Sequence, residues 1–241
     1  MNGFRMMNNT DSQSASRPAS FLKAILAVVW KDLAAEFRSW ELLSAMVVFS
    51  LLVILIFSFA LQLEQGTRGA VAAGVLWVTF IFAGTLGFNR SLSQEKDRGS
   101  LDGLLLAPVD RSALYFGKAL GNLLFMSLVE LVILPVSAVL FNLPLFNPWL
   151  LVVVFLGTLG YAAVGTLLAS MAVHTRGRDV MLPILLFPVA LPLLMAAVQA
   201  SSNILSAAGW DATAPWLNLL VGYDVIFIAV ALMAFDYIVE E

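Results

Sequence analysis

Residues Gln94–Leu120 read QEKDRGSLDGLLLAPVDRSALYFGKAL, and they gather eight of the chain's 29 charged residues (13 Lys and Arg, 16 Asp and Glu). Alternating charge beside a Leu-Leu-Leu run suits recognition by another surface, not bond making. Two other residues invite chemistry. Glu130 stands alone in an apolar stretch, where a carboxyl serves either as a proton carrier or as a hydrogen-bonding clamp between helices. His174, the single histidine, sits in HTRGRD beside Arg176 and Arg178. An isolated loop histidine is ordinarily solvated, so the ligand reading of His174 is the weaker one. The chain has no cysteine, which removes disulfides, thiolate catalysis, Cys-ligated zinc and Cys-x-x-Cys-His cofactor attachment. It also has no Gly-x-x-x-x-Gly-Lys-Ser/Thr phosphate loop. No catalytic residue and no metal ligand is assigned, and no nucleic-acid partner is expected.

The elements that would position these residues follow from composition. Soluble domains are about 45–50% apolar and about 25% charged, whereas this chain is 61% hydrophobic and 12% charged. Apolar runs of about 20 residues match a bilayer core, and helices can cross it because their backbone polar groups are satisfied internally. The expected fold is an all-α membrane protein with one transmembrane domain, residues 21–241, after a flexible tail, residues 1–20, that lacks the features of a secretory signal. Six spans are expected over about 42–63, 69–88, 113–141, 149–173, 180–200 and 216–239. Ahead of them, Phe21, Leu22, Ile25, Leu26, Val29, Leu33 and Phe37 recur at helical spacing against Lys23, Lys31, Asp32, Glu36 and Arg38. That pattern suits a cytoplasmic amphipathic helix lying in the membrane interface.

Orientation follows from Lys and Arg. With the N-terminus inside, 12 of the 13 lie on the inner side, among them Lys118 near the inner end of the third span, and only Arg68 faces out. The positive-inside rule then puts both termini in the cytoplasm. Trp149, Trp210 and Trp216 fall at the outer ends, as an interfacial aromatic belt should.

This topology makes Gln94–Leu120 the largest inward loop. Gly99 should end the helix that descends from the second span. Leu101, Leu104 and Leu105 then share one helical face, with Asp102 on the other. Pro108 stops this short helix, and Asp110 is placed to cap the third span. One reading is a solvated loop that merely carries topogenic charge. The other is a docking helix for a separate nucleotide-driven motor, which gives the Leu face a home. On that reading the docking set is Glu95, Arg98, Gly99, Leu101, Asp102, Leu104, Leu105 and Pro108, with Arg176 and Arg178 of the next inward loop beside it.

LGFNRSLSQEKDRGSLDGLLLAPVDRSALYFGKALGNLLF (Leu86–Phe125) resembles the CcmB family, the permease subunit of the haem exporter of cytochrome c maturation. So do VVWKDLAAEFRSWELL (Val28–Leu43), MLPILLFPVALPLL (Met181–Leu194) and the ending WLNLLVGYDVIFIAVALMAFDYIVEE. Related ABC exporter permeases share only a looser form of the first motif: an acid, a Gly-Thr/Ser-Leu and a proline. The resemblance implies a six-span permease of ABC exporter type in a bacterial inner membrane, a cytoplasmic CcmA-like ATPase and a CcmC-like membrane subunit. It also implies a role in loading haem onto, or releasing it with, a CcmE-like chaperone. No cofactor would be bound permanently. Haem would be cargo, and ATP would act on the partner subunit. The tryptophan-rich signature of the CcmC partner is missing, since GWDATAPW holds two tryptophans.

Candidates for the transport path are Glu130 and the three prolines of the fifth span, Pro183, Pro188 and Pro192. The prolines are expected to kink or partly unwind their helix, which a membrane tolerates where freed backbone groups meet protein or water. Gly117 and Gly121 form a Gly-x-x-x-Gly patch read as internal packing in preference to a homodimer contact. Two alternatives stay open: an ABC exporter permease for another substrate, and a secondary transporter that uses Glu130.

Overall fold

The computed structural model describes residues 21–61, 65–97, 111–172 and 177–238. The described residues form seven helices: α1 (Phe21–Ser39), α2 (Glu41–Ala60), α3 (Gln65–Asp97), α4 (Arg111–Phe141), α5 (Pro148–Ala172), α6 (Arg178–Leu205) and α7 (Trp210–Ile238). Helices α2 to α7 are each long and apolar enough to cross a bilayer. The chain is a multi-pass membrane protein.

Several helices outrun the spans read from hydropathy, while α2 ends at Ala60, short of residue 63. Helix α3 continues past Phe88 to Asp97, α6 continues past Ala200 to Leu205, and α7 starts at Trp210 instead of Trp216. A helix has no reason to stop where the hydrocarbon stops, because its hydrogen bonds are internal. Helix α6 also runs unbroken through Pro183, Pro188 and Pro192. The partial unwinding expected there does not occur. Each proline removes one amide donor, yet the remaining amides have no water to turn to and stay in the helix.

The connections are short and use their residues economically. Trp40 alone joins α1 to α2, in the left-handed region at φ 53°, so the chain changes direction within one residue. At the start of α5, the Asn147 side chain accepts a hydrogen bond from the Trp149 amide at 2.9 Å, and Pro148 takes the first helical position, where no donor is needed. Trp149 then meets Trp210 at the start of α7, with ring centroids 4.6 Å apart. At the other end, Glu41 at the start of α2 forms an ion pair with Arg90, near the end of α3. The start of α2 thus meets the late part of α3, and the starts of α5 and α7 meet each other, as antiparallel crossings require.

Helix α5 is the axis of the bundle. It touches α3, α4, α6 and α7, and from Gly157 to Leu167 nearly every residue is buried. Helix α2 packs against α3 and α4, and α1 lies across α4 and touches α2. The outward faces carry Leu131, Val139, Ile184, Val225 and Ile226, all exposed, which a lipid environment covers at no cost.

Helix α1 departs from the simple amphipathic reading. Leu22, Leu26 and Trp30 are exposed, while Glu36 is buried with Ala24, Val28 and Val29. Both acids expected on a water-facing stripe, Asp32 and Glu36, face the bundle. The reason is that both find partners there, described next.

Candidate functional site

Two layers of polar contacts hold the bundle, one at the charged end and one deep among the spans. At the charged end, Lys118 of α4 donates to Asp32 of α1 at 2.8 Å, with side chains only 6% and 9% exposed. Lys31 reaches the other Asp32 oxygen at 3.4 Å. Glu36 accepts the Leu43 amide at 2.8 Å, which satisfies one of the donors left free at the start of α2. With the Glu41–Arg90 pair, these contacts tie α1 to α4 and to α2, and α2 to α3. Gly117 and Gly121 let α1 approach: a Cβ at Gly117 would stand 2.7 Å from Val28 Cβ, and one at Gly121 would stand 3.5 Å from Asp32 Oδ2. The Gly-x-x-x-Gly patch is an internal seat for α1.

The deep layer is organised by α5, whose small residues admit its neighbours. Methyl groups at Gly157 and Gly165 would collide with the rings of Trp77 and Phe88 on α3, and one at Gly160 would collide with the Asp224 carboxyl on α7. Polar pairs lie between these glycines. Thr158 donates a short hydrogen bond to Glu130 of α4. Tyr161 and Thr85 hydroxyls are 2.7 Å apart and share the Ile81 carbonyl. Asn122 donates to Thr166 at 2.9 Å, and Trp77 donates to Ser201 of α6 at 2.9 Å.

Glu130, the intramembrane acid singled out from sequence, is therefore fixed between α4 and α5. Its surroundings are Met46, Phe80, Ala83, Met126 and Val129, and the gap among them has no volume open to water. Pro188 and Pro192 lie on the exposed side of α6, and Pro183 is half-buried. Glu95 falls in the last turn of α3, and Arg178 in the first turn of α6. Arg98, Gly99, Leu101, Asp102, Leu104, Leu105, Pro108 and Arg176 lie outside the described residues, as does His174.

One intramembrane acid escaped the sequence reading. Asp224 in α7 is 4% exposed, and neither carboxyl oxygen has a hydrogen-bond partner among the described residues. The signal was present in GYDVIF, an acid within an apolar run, the same signal that marked Glu130. Asp32, Glu36 and Lys118 were seen only as surface or topogenic charge. Among the described residues no three His, Asp or Glu gather as a metal centre would need. The arrangement as a whole joins helix to helix.

The family model described as CcmB protein matches residues 23–240. The chain belongs to the CcmB family. Similar curated proteins agree with that membership over most of their lengths. Heme exporter protein B of Paracoccus denitrificans is 30% identical over 186 residues, 77% of this chain and 84% of that protein. Heme exporter protein B of Rhodobacter capsulatus is 29% identical over 174 residues, 72% and 80%. That of Haemophilus influenzae is 30% identical over 164 residues, 67% and 72%.

For this CcmB-family chain, the contact between Glu130 and Thr158 can be tested directly. Glu130→Gln keeps an acceptor for the Thr158 hydroxyl and should leave the unfolding midpoint of the purified chain unchanged. Glu130→Leu removes the acceptor and should cost about 0.6–1.7 kcal/mol, the span measured for hydrogen bonds between membrane helices. Equal losses in the two variants would show that the charge, and not the hydrogen bond, holds this site.

Proposed function

We infer that this chain is the membrane-spanning permease of an ATP-driven exporter that serves haem handling in cytochrome c maturation. The observation that carries the reading is the match to proteins named heme exporter protein B over two-thirds or more of this chain and of theirs. The chain itself is a permease and not an enzyme. With no phosphate loop in its sequence, the ATP would be hydrolysed by a separate cytoplasmic CcmA-like ATPase. A CcmC-like membrane subunit and a CcmE-like haem chaperone complete the proposed set of partners, with either haem or haem-loaded chaperone as the object of the work. The 12-to-1 distribution of Lys and Arg supports an inner-membrane location with both termini cytoplasmic.

The architecture suits a mechanical role. Helix α3 runs as one rod from the buried Trp77–Phe88 region to Asp97, so a force applied near Glu95 reaches the centre of the bundle without crossing a loop. From there the Arg90–Glu41 pair leads to α2, and the Glu36 and Asp32 contacts lead to α1 and α4. A motor docking on the segment that joins α3 to α4 would move all four helices together. The sealed surroundings of Glu130 favour this reading over a secondary transporter that needs water to deliver protons to that carboxyl.

The test uses the Leu face of the joining segment. Burying one leucine is worth roughly 1.5–3 kcal/mol, and a loss of about 2.7 kcal/mol weakens binding about a hundredfold. Leu104→Asp should leave the permease inserted, release the ATPase on co-purification and abolish cytochrome c maturation. Asp102→Asn, which the sequence pattern puts on the opposite face, should do much less, because exposed ion pairs are worth about 0–1 kcal/mol. Wild-type recovery of the ATPase by a well-inserted Leu104→Asp permease would reject the docking assignment.

A further inference from the structure

A groove of about 350 Å³ opens between α1, α4, α5 and α7, walled by Ile25, Tyr115, Ala119, Leu123, Leu159 and Ile228 among others. All the residues that line it are apolar apart from the Tyr115 hydroxyl, which is already donated to the Ala163 carbonyl at 2.9 Å. Such a wall offers a ligand dispersion and nothing else. Propionates, phosphates or peptide groups drawn into it would lose their water without replacement.

Depth narrows the choice of occupant. On α4 the walls run from Tyr115 to Leu123, which at 1.5 Å per residue is about 6–18 Å from the start of that helix at Arg111. On α5 they run from Leu159 to Ala163, about 14–20 Å from its end at Ala172. The hydrocarbon core is about 30 Å thick, so the groove begins at the charged end and stops near the middle of the membrane. A partner's transmembrane helix, about 10 Å across and spanning the full thickness, would need a longer and wider channel. A hydrocarbon chain that hangs from one interface to the midplane fits both the length and the volume.

The charged end supplies the second argument. The first turn of α1 forms that end of the groove: Phe21 meets Phe116 edge-on at 6.2 Å, and Leu22 and Ile25 line the wall. That end of the wall is aromatic and aliphatic throughout, so it receives a tail and not a headgroup. The geometry points to a lipid site, in which one acyl chain of a phospholipid occupies the α1–α4–α5–α7 groove. Its placement in the inner leaflet rests on the orientation proposed above, but the occupancy does not. Bound there, the lipid is a removable wedge beneath α1.

The experiment counts lipids on the whole chain. Wild-type protein and Ala119→Phe, which fills the groove from α4, are reconstituted in vesicles of phosphatidylglycerol and phosphatidylethanolamine. They are then extracted in mild detergent, and retained phospholipid is measured by native mass spectrometry. Wild type should hold one phospholipid more than Ala119→Phe. Equal lipid counts in wild type and a correctly folded Ala119→Phe would overturn the site. So would loss of a co-purifying membrane subunit with no change in lipid, which would give the groove to a protein. Should Ala119→Phe not fold, phosphatidylglycerol spin-labelled on its acyl chain decides the matter on wild type alone. A motionally restricted component that saturates at one lipid per chain supports the site, and its absence refutes it. None of these readouts depends on haem or ATP, so this proposal and the permease assignment stand or fall separately.

Discussion

Lys118→Met should lower the stability of the purified chain by about 3–5 kcal/mol, the usual cost of removing one partner from a buried ion pair. The size of the effect comes from what is left behind. Asp32 would remain among α1 and α4 with its side chain 9% exposed, and its other oxygen would have only the 3.4 Å contact to Lys31. Unfolding followed in mild detergent measures the loss, and amide exchange should place it first in α1. The double variant Asp32→Leu/Lys118→Met should recover most of it, because a hydrophobic pair of similar volume often matches or exceeds a buried ion pair. A loss below about 1 kcal/mol in the single variant would mean that water reaches the pair and that it behaves as a surface contact.

Gly157→Leu should disrupt the centre of the bundle. Even a methyl group at this position would collide with the Trp77 ring, and that ring is not free to swing aside. Its indole nitrogen donates to Ser201 of α6 at 2.9 Å, and its face is met edge-on by Phe80 at 5.9 Å. Overpacking costs about 1–3 kcal/mol, and a buried indole donor pulled from its acceptor about 1–3 kcal/mol more. The expected total is about 2–6 kcal/mol, seen as loss of folded protein in the membrane and a lower unfolding midpoint. Trp77→Leu in the same chain should restore part of the loss by making room, although the bond to Ser201 stays broken. Normal accumulation of Gly157→Leu alone would show that α3 and α5 are not held at this distance.

The six crossings were legible in the sequence because each is a long apolar run, and hydrophobic runs report what water excludes. Their ends were not legible. Hydropathy marks the edge of the hydrocarbon, while α3 continues as a polar helix to Asp97 and α7 begins at Trp210. The three prolines of α6 did not unwind it. Proline removes an amide donor and crowds the carbonyl of the preceding turn, but in a membrane no water competes for the hydrogen bonds that remain.

The polar contacts were legible one residue at a time and not as pairs. Glu130 stood out because a carboxyl in an apolar run is costly wherever it points. Its partner Thr158 is 28 positions away, on another helix, and no periodicity within one helix reveals such a neighbour. The same blindness explains Asp32 and Glu36. A single-helix pattern sorts polar from apolar faces, but it cannot tell a stripe that faces water from one that faces a lysine on the next helix. Asp224 could have been found by the rule that found Glu130. What no residue type announced is the space left for it by Gly160.

The pairing of Trp77 with Ser201 also sets a timetable for biosynthesis. The two residues are 124 positions apart, and ribosomes add about 5–20 residues per second, so Trp77 leaves the peptidyl transferase centre about 6–25 s before its acceptor exists. Through that interval α3 has passed into the membrane with an indole donor and a Thr85 hydroxyl facing lipid or the insertion machinery, since Tyr161, the partner of Thr85, is also still to be made. A half-made chain is therefore polar along the face that will become its centre, which is the kind of surface that membrane chaperones hold and membrane proteases cut. Truncated chains that end before α5 should be short-lived in the cell for that reason, and those that extend past Ser201 should begin to escape degradation.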